Sequence, residues 1–183
     1  MNVKLLAYTP DPERTVACAA KLCYAAADID TVMEGLTEEK TSSFINMLSE
    51  LGHESPVEHA SFTFGIEGVS RSLLAQLTRH RLASYSVQSQ RYVKKSAFEF
   101  VLPPEIEAMP ETKREFLLAM EEDQRHYERL AELLQRKHET EFLAQGLSEK
   151  EAKRKAEKKA IEDARFVLPN ACATKLILSL IHI

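Results

Sequence analysis

This chain of 183 residues has few glycines, few cysteines and no long apolar run, and each scarcity excludes a class of protein. Its five glycines form neither a Gly-x-Gly-x-x-Gly nor a Walker sequence, so a bound dinucleotide would not be held in the Rossmann manner. The absence of a Gly-x-Ser-x-Gly elbow argues against an α/β-hydrolase. No apolar run is long enough to span a bilayer, so we expect no membrane segment.

The three cysteines, Cys18, Cys23 and Cys172, form no Cys-x-x-Cys pair. Cys18 and Cys23 fall in one predicted helix, and we expect both to be buried packing residues rather than metal ligands. The N-terminus lacks the apolar region of a signal peptide, and free thiols fit a reducing compartment. These features predict a cytoplasmic protein.

The composition is that of a globular protein with one core, since 44% of residues are hydrophobic and 28% are charged. A net charge of −4 gives no global attraction to nucleic acid or to an anionic membrane. Positive charge therefore has to act locally.

The first half of the chain mixes predicted strands and helices. We expect strands over residues 3–8 and 61–66, with Phe62, Phe64 and Ile66 on one face of the second. Asp11 as N-cap and Pro12 start a helix that runs to about residue 24. A second helix stops at Gly52, and a third carries Leu73, Leu74 and Leu77 and leads into Arg79.

The second half is mostly helical. Residues 98–102 are a possible strand, and a long charged helix follows over about 111–145, with His126 and His138 on its solvated face. Ser148 and Glu151 form a capping box for a helix to about residue 166, and Asn170 caps a last helix. Strands early and helices late predict an α+β fold, a mixed or antiparallel sheet with helices packed on it.

The most informative segment is residues 79–91, which holds three arginines and one histidine but no acidic residue. Arg79 and Arg81 fall at the end of the third predicted helix, where the helix dipole does not attract anions, so side chains must hold any phosphate. Each arginine fork can give two parallel hydrogen bonds to a phosphate, and the serines and glutamines add neutral donors and acceptors. The alternative is that these arginines are solvated or paired with acids of the long helix.

A second polar segment, residues 52–59, contains two histidines and two glutamates. Pro56 prevents the helix that a His-Glu-x-x-His zinc site needs, and no cysteine lies near enough for a closed structural site, so we expect no metal. Two readings stay open: a loop that leads into a strand and lines a pocket, or a satisfied polar loop.

Together these segments resemble the flavin-dependent thymidylate synthases. The family's Arg-His-Arg, seven residues, then Ser is matched by Arg79-His80-Arg81 and Ser89, followed by Arg91. The family's Gly-His-Glu-(Thr/Ser)-Pro-x-Glu-His is matched by residues 52–59, and its Ala-Arg-x-x-Leu-Pro by residues 164–169. The matches keep the family's order and spacing. Val87 departs from the pattern, because the family commonly has Glu there.

The resemblance implies an FAD enzyme with this family's fold. Such an enzyme makes dTMP from dUMP by reductive methylation, which combines methyl transfer with redox chemistry. Methylenetetrahydrofolate is the carbon donor, NADPH is the reductant, and FAD carries the hydride. None of the three cysteines lies in the matched motifs, in keeping with a reaction that uses no enzymic thiolate. Guanidinium groups can instead polarise the pyrimidine by stabilising developing negative charge.

The resemblance also assigns site residues by position. FAD contacts fall on His53, Ser55, Arg79, His80 and Arg81. The residues expected to hold dUMP are Gln76, Arg79, Gln88, Ser89, Gln90, Arg91 and Arg165. We expect Ser89 to bind rather than attack, since no base is evident beside it in the sequence.

At the C-terminus the resemblance stops. The family continues to an Asn-x-Arg sequence and then to an arginine that polarises uracil, so we expect no catalytic arginine within this chain and an impaired activity for it. Residues 178–183 match the translation of a common sequencing-adapter end. We expect a single domain over residues 1–177, incomplete at its C-terminus, followed by a non-native tail.

Family members are homotetramers, and the resemblance implies the same assembly for the full-length protein. The competing hypothesis is a non-catalytic nucleotide- or RNA-binding module that uses the same arginines. Such a module needs an interleaved aromatic surface, whereas only Tyr85 and Tyr92 lie close by. We therefore expect small-molecule substrates and no nucleic-acid partner.

Overall fold

The structure is a computed structural model, and it describes residues 1–90 and 99–181. The chain divides into two compact units. Unit 1 comprises Met1–Glu67, Thr78–Ser86 and Leu176–Ile183, whereas unit 2 comprises Gly68–Leu77 and Val87–Lys175. The part of the chain that the structure describes contains no helix with the length and apolarity needed to cross a membrane.

Unit 1 combines a four-stranded antiparallel sheet with three helices, which confirms the predicted α+β class. Its strands, three of which continue into unit 2, are β1 (Asn2–Tyr8), β2 (Ser61–Ser70), β3 (Ala83–Val87) and β4 (Ala173–Ile181). Its helices are α1 (Pro12–Leu22), α2 (Ile29–Glu34) and α3 (Glu38–Glu50), followed by a 3-10 helix over Ser55–His59. The strands lie in the order β1-β2-β4-β3.

The two strands predicted in the first half are confirmed, and they pair with each other. Val3 lies opposite Ile66 and Leu5 opposite Phe64 in an antiparallel ladder. The Phe62 and Phe64 rings stack with centroids 6.4 Å apart, as expected for residues two apart on one face. On the other side of β2, the hydroxyl oxygens of Thr63 and Ser179 lie 2.8 Å apart and link β2 to β4.

The core of unit 1 lies among α1, α2, α3 and the start of β2. One buried cluster contains Val16, Ala20, Leu48 and Ala60. A second contains Ala17, Cys18, Val32 and Leu36. Neighbouring positions along α1 thus face two clusters, which fixes this helix against both α3 and α2.

The ends of α1 differ from the prediction. Asp11 adopts a left-handed backbone with φ of 46°, and its side chain makes no capping hydrogen bond. Pro12 at the first position and the acidic Glu13 in the first turn are the helix signals that the structure retains. The helix ends at Leu22, and Cys23 is exposed. The expectation that both Cys18 and Cys23 are buried is therefore wrong for Cys23.

Unit 2 is built around a helical hairpin. After α4 (Arg71–Leu77) come α5 (Pro104–Ala108), α6 (Pro110–Ala144), α7 (Glu149–Ala164) and a 3-10 helix over Arg165–Val167. The long helix predicted over residues 111–145 is confirmed as α6. Alanines at every fourth position of α7, namely Ala152, Ala156, Ala160 and Ala164, are buried, which lets α7 lie close along α6.

Two details of the hairpin overturn expectations. His138 is 4% exposed rather than solvated, because it shares the inward face of α6 with Met120 and Tyr127. Ser148 makes no capping hydrogen bond to the backbone; its hydroxyl donates instead to the Glu151 carboxylate at 2.9 Å. The capping box therefore forms as a side-chain pair only.

The last predicted helix is wrong, since the chain forms β4 after Asn170. Thr174, Leu176 and Leu178 are buried at alternate positions, which is the period of a strand. The possible strand at 98–102 reduces, over its described residues, to a single bridge between Phe100 and Cys172. Residues 178–181 complete β4, and the expectation that they begin a non-native tail stays a prediction.

Candidate functional site

The five residues expected at the flavin all belong to unit 1. Gly52 ends α3 with φ of 66°, a left-handed conformation that favours glycine, and the His53 N–H then donates to the Leu48 carbonyl at 3.0 Å. This closure places the exposed His53 side chain directly after the helix. Ser55 begins the 3-10 helix and is also exposed. The polar segment therefore leads into β2, as expected for the first of the two interpretations, a loop that leads into a strand.

Arg79, His80 and Arg81 form the exposed connection between α4 and β3. The Tyr85 hydroxyl donates a 3.0 Å hydrogen bond to the His80 carbonyl, which ties the connection back to β3. Within the described residues, Arg81 has no carboxylate within ion-pair distance. The solvent-facing guanidinium of Arg81 is therefore available to an anion, because burial does not hide it and none of the described acids pairs with it.

β3 itself falls inside the segment that carries the motif. Ala83, Tyr85 and Val87 are half-buried, whereas Ser84 and Ser86 are exposed, so the strand turns its serines to solvent. Sequence reasoning did not predict this strand. The alternation of apolar and hydroxyl side chains over these residues is a strand signal. It was interpreted as a set of ligand-binding groups instead.

The described residues expected to hold dUMP, apart from Arg79, belong to unit 2. Gln76 is exposed on α4, whereas Gln88, Ser89 and Gln90 are half-buried. The Gln88 N–H donates to the Lys175 carbonyl at 2.9 Å, which extends the pairing of β3 with β4 by one residue. Arg91 lies outside the described residues.

Gln90 and Arg165 are each held by a neighbour that the motif does not include. The Gln90 side-chain amide donates to the Sγ atom of Cys172 at 3.8 Å, and Cys172 is fully buried. The Nε atom of Arg165 donates to the Glu162 carbonyl at 3.0 Å, and its guanidinium lies 5.8 Å from the exposed Phe166 ring. Cys172 is thus a positioning contact that sequence reasoning missed, and no sequence signal links it to Gln90.

The described parts of the two polar segments bring together few side chains of the kinds that bind metals. Among the residues at 1–90 and 99–181, no group of three or more His, Cys, Asp or Glu side chains could hold a metal ion. The arrangement instead offers guanidinium, imidazole, amide and hydroxyl groups. Such groups suit anionic and nucleobase ligands, because they provide fork-shaped cationic donors together with neutral donors and acceptors.

Comparisons with known proteins place this chain in a family. A family model described as thymidylate synthase complementing protein matches residues 4–180. The chain is 53% identical over 180 residues to the flavin-dependent thymidylate synthase of Clostridium tetani (strain Massachusetts / E88), covering 98% of this chain and 69% of that protein. It is 42% identical over 182 residues to the protein of that name from Geobacter sulfurreducens (strain ATCC 51573 / DSM 12127 / PCA), covering 98% of this chain and 68% of the relative.

A third relative, the flavin-dependent thymidylate synthase of Nitratidesulfovibrio vulgaris, is 42% identical over 184 residues. The match covers 98% of this chain and 69% of that protein. The similarity therefore extends over nearly all of this chain and about two thirds of each relative.

Proposed function

This chain belongs to the flavin-dependent thymidylate synthase family, an enzyme family, and from that membership we propose that it acts in making dTMP from dUMP. The reaction is a reductive methylation with methylenetetrahydrofolate as carbon donor and NADPH as reductant. FAD, when bound, supplies the hydride. The observation that carries the proposal is the exposed Arg79-His80-Arg81 connection, which keeps cationic groups at the surface in a chain 53% identical to a flavin-dependent relative.

The flavin residues fit a phosphate-bearing cofactor. The guanidinium groups of Arg79 and Arg81 are exposed and flank His80, and a guanidinium fork matches phosphate oxygens. His53 and Ser55 lie in unit 1 as well and add an imidazole and a hydroxyl. We assign to these side chains the binding and orientation of FAD.

The nucleotide residues fit a pyrimidine monophosphate. The half-buried amides of Gln88 and Gln90 can donate to and accept from the uracil edge, and the Ser89 hydroxyl adds a donor. Arg91 and Arg165 provide the positive charge that holds the phosphate of dUMP. In this assignment the side chains bind and orient dUMP, and Ser89 is a binding group rather than a nucleophile.

Cysteine accessibility supports a route without an enzymic thiolate. Cys18 and Cys172 are buried, and Cys23 is exposed at the end of α1, outside every matched motif. A thiolate that adds to uracil must be accessible and close to the nucleotide. Cys18 and Cys172 fail the first condition, and Cys23 lies outside every matched motif, so the proposal gives activation of the ring to cationic groups.

We further propose a homotetramer in the cytoplasm with the fold of this family. The support for assembly is β1, where Val3, Leu5, Leu6 and Tyr8 are between 45% and 57% exposed. An edge strand with this much uncovered apolar surface is a suitable interface between copies.

Binding of FAD and of dUMP by the purified 183-residue chain tests the proposal. FAD binding is followed by quenching of flavin fluorescence, and dUMP binding by titration calorimetry. We expect both ligands to bind saturably, and Arg91→Ala to weaken dUMP about tenfold or more while changing FAD affinity less, since a charged hydrogen bond contributes about 1.5–3 kcal/mol. Arg114→Ala, on the exposed face of α6, is the matched control.

Two outcomes would count against the proposal. A chain that binds neither FAD nor dUMP refutes the assigned site, and an equal loss of both ligands in Arg91→Ala refutes the division between flavin and nucleotide residues. The alternative, a non-catalytic nucleotide- or RNA-binding module, is not favoured by the relatives, which carry the name of an enzyme. It predicts binding of single-stranded RNA by a chain that ignores FAD.

A further inference from the structure

Two adjoining cavities lie along α1 and α3 in unit 1. The larger has a volume of about 430 Å³ and the smaller a volume of about 390 Å³. Glu13 lines both cavities, so they lie next to each other along this residue. Each volume is in the range of pockets that hold small organic ligands.

The larger cavity has an apolar floor and a polar rim. Val16, Leu48 and Ala60 are buried at its base, and half-buried Ile45 and Phe62 form its walls. The rim is exposed and carries Glu13, Ser49, His53 and Glu54. An apolar group of matching size would therefore leave water here and meet only carboxylates and an imidazole as charged or titratable neighbours.

The smaller cavity is acidic. Asp11, Glu13 and Glu38 line it together with Arg14, which leaves an excess of two negative charges. Arg14 lies 3.9 Å from Asp11, so this pair is already matched in charge. Among the described residues, Glu13 and Glu38 have no ion-pair partner. Two carboxylates thus remain available to a cation.

A second observation marks the same cavity. Thr41 lines it, is only 5% exposed, and its hydroxyl has no hydrogen-bond partner within the described chain. Buried polar atoms without partners are rare and costly, so the Thr41 hydroxyl is an unused hydrogen-bonding group in the wall of this cavity.

A single metal ion does not fit these residues, because no group of three or more potential ligands among the described residues could hold one. The cation must therefore be larger and able to reach separated carboxylates. An organic ammonium ion meets this requirement, since its N–H groups can spread over several acceptors. An apolar group attached to this ammonium ion would lie in the larger cavity.

We propose that the groove formed by these two cavities binds an amphipathic organic cation. Its apolar body occupies the cavity floored by Val16, Leu48 and Ala60, and its ammonium group lies between Glu13 and Glu38. The site goes beyond the proposed synthesis of dTMP, and its residues other than His53 have no part in the flavin and nucleotide assignments.

Dansylcadaverine, a fluorescent ring joined to a primary ammonium group, is a suitable probe for the printed chain. We expect saturable binding with a blue-shifted rise in fluorescence, and weaker binding of dansylamide, which lacks the ammonium group. Glu13→Gln is expected to weaken dansylcadaverine about two- to fivefold, the range of one exposed ion pair, without changing dansylamide. Glu39→Gln, one residue from Glu38 but outside both cavities, is the charge control.

A size variant tests where the probe binds. Ser49 is an exposed rim residue of α3, so Ser49→Phe should fill the mouth of the larger cavity and abolish saturable binding. Ser42→Phe places the same ring on an exposed position of α3 that lines neither cavity, and should leave binding intact. Circular dichroism tests whether both variants are folded. If Ser49→Phe does not fold, the effect of Glu13→Gln on dansylcadaverine binding tests the site instead.

Three results overturn the proposal. The first is no saturable binding of dansylcadaverine, and the second is equally tight binding of the anion dansylglycine. The third is unchanged binding in a folded Ser49→Phe variant. Arg81→Ala, which alters the proposed flavin site, should leave the probe unaffected, so failure of this inference is distinguishable from failure of the proposed function.

Discussion

The Tyr85 hydroxyl donates to the backbone carbonyl of His80 across a distance of 3.0 Å, so a strand residue holds the middle of the Arg79-His80-Arg81 connection. Tyr85→Phe keeps the ring but removes this bond. We expect the FAD dissociation constant to rise about two- to tenfold, because one neutral hydrogen bond contributes about 0.5–1.5 kcal/mol. Flavin fluorescence quenching measures the change.

Tyr24→Phe is the control for this substitution, since Tyr24 is 86% exposed and lies outside β3. It should leave FAD binding unchanged. If Tyr85→Phe binds FAD as tightly as the parent chain, the hydrogen bond does not position the connection.

The hairpin of unit 2 contains a pH-dependent contact. Nδ1 of buried His138 lies 3.0 Å from Oε2 of Glu141, and this hydrogen bond is the main reason that the pKa of Glu141 lies below its ordinary value of 4.5. A carboxyl group with a lowered pKa in the folded state stabilises the protein above that ordinary value, and this stabilisation is lost as the pH falls through the lowered pKa. Glu141→Gln should therefore lower the melting temperature at neutral pH and have less effect in acid.

Thermal melts followed by circular dichroism at neutral pH and below pH 4.5 measure this difference. Glu121→Gln, at an exposed position of α6, should show the same small effect at both pH values. A Glu141→Gln effect that does not shrink in acid would contradict the expectation.

Asp28 caps α2 by accepting a 2.8 Å hydrogen bond from the Thr31 N–H. This bond lowers the pKa of Asp28 from its ordinary value of 3.8, so its contribution is present above that value and is lost as the pH falls below it. Asp28→Ala should lower the melting temperature near neutral pH, whereas Asp28→Asn should preserve it because asparagine also caps helices. Asp30→Ala, in the first turn, serves as the comparison, and an equal loss in both alanine variants would argue against a capping role.

The alanine face of α7 leaves little space for a larger side chain. Ala156 has 0% exposure where α7 lies against α6, so Ala156→Leu should reduce the free energy of unfolding by about 1–3 kcal/mol through overpacking. Urea denaturation provides the measurement. Lys155→Leu adds the same side chain at an exposed neighbour and should change stability by less than about 0.5 kcal/mol. If Ala156→Leu is as stable as the parent chain, α6 and α7 can move apart to accept the larger side chain.

Much of the fold was predictable where local signals act alone. Helix α1 starts at Pro12 and α6 spans the long charged segment, both as predicted. Helix starts and helical periodicity can be read from neighbouring residues, so these elements needed no information about tertiary structure. The burial of His138 could also have been predicted, since Met120, Tyr127 and His138 recur at whole numbers of helical turns. The buried face was missed because His138 was assigned to the polar, solvated face of the helix.

β4 could not be predicted by the same means. Leu176, Ile177 and Leu178 form a short apolar run that suits a helix or a strand, and Asn170 is a common helix cap. If residues 178–183 are a non-native tail, the native run is shorter still. The decision depends on pairing with β2 and β3, which lie about a hundred residues away in the chain, as the Thr63–Ser179 contact across 116 positions shows.

For the candidate site, the motif residues were named from sequence, but their supports were not. Tyr85 contacts His80 and Cys172 contacts Gln90 only because β3 and the segment before β4 come near them. A motif records the groups that meet a ligand. The groups that hold those side chains in place depend on tertiary structure, so they could be identified only from coordinates.

The discontinuous composition of unit 1 has a consequence for how the protein is made. Strand β2 pairs with β1 on one side and with β4 on the other, yet β4 is synthesised only after all of α6 and α7. The hairpin of α6 and α7 needs only partners close in sequence, so it can form on the ribosome while the sheet waits. Until β4 emerges, nascent β2 keeps one open edge, and an unpaired strand edge is a site at which a growing chain can mispair.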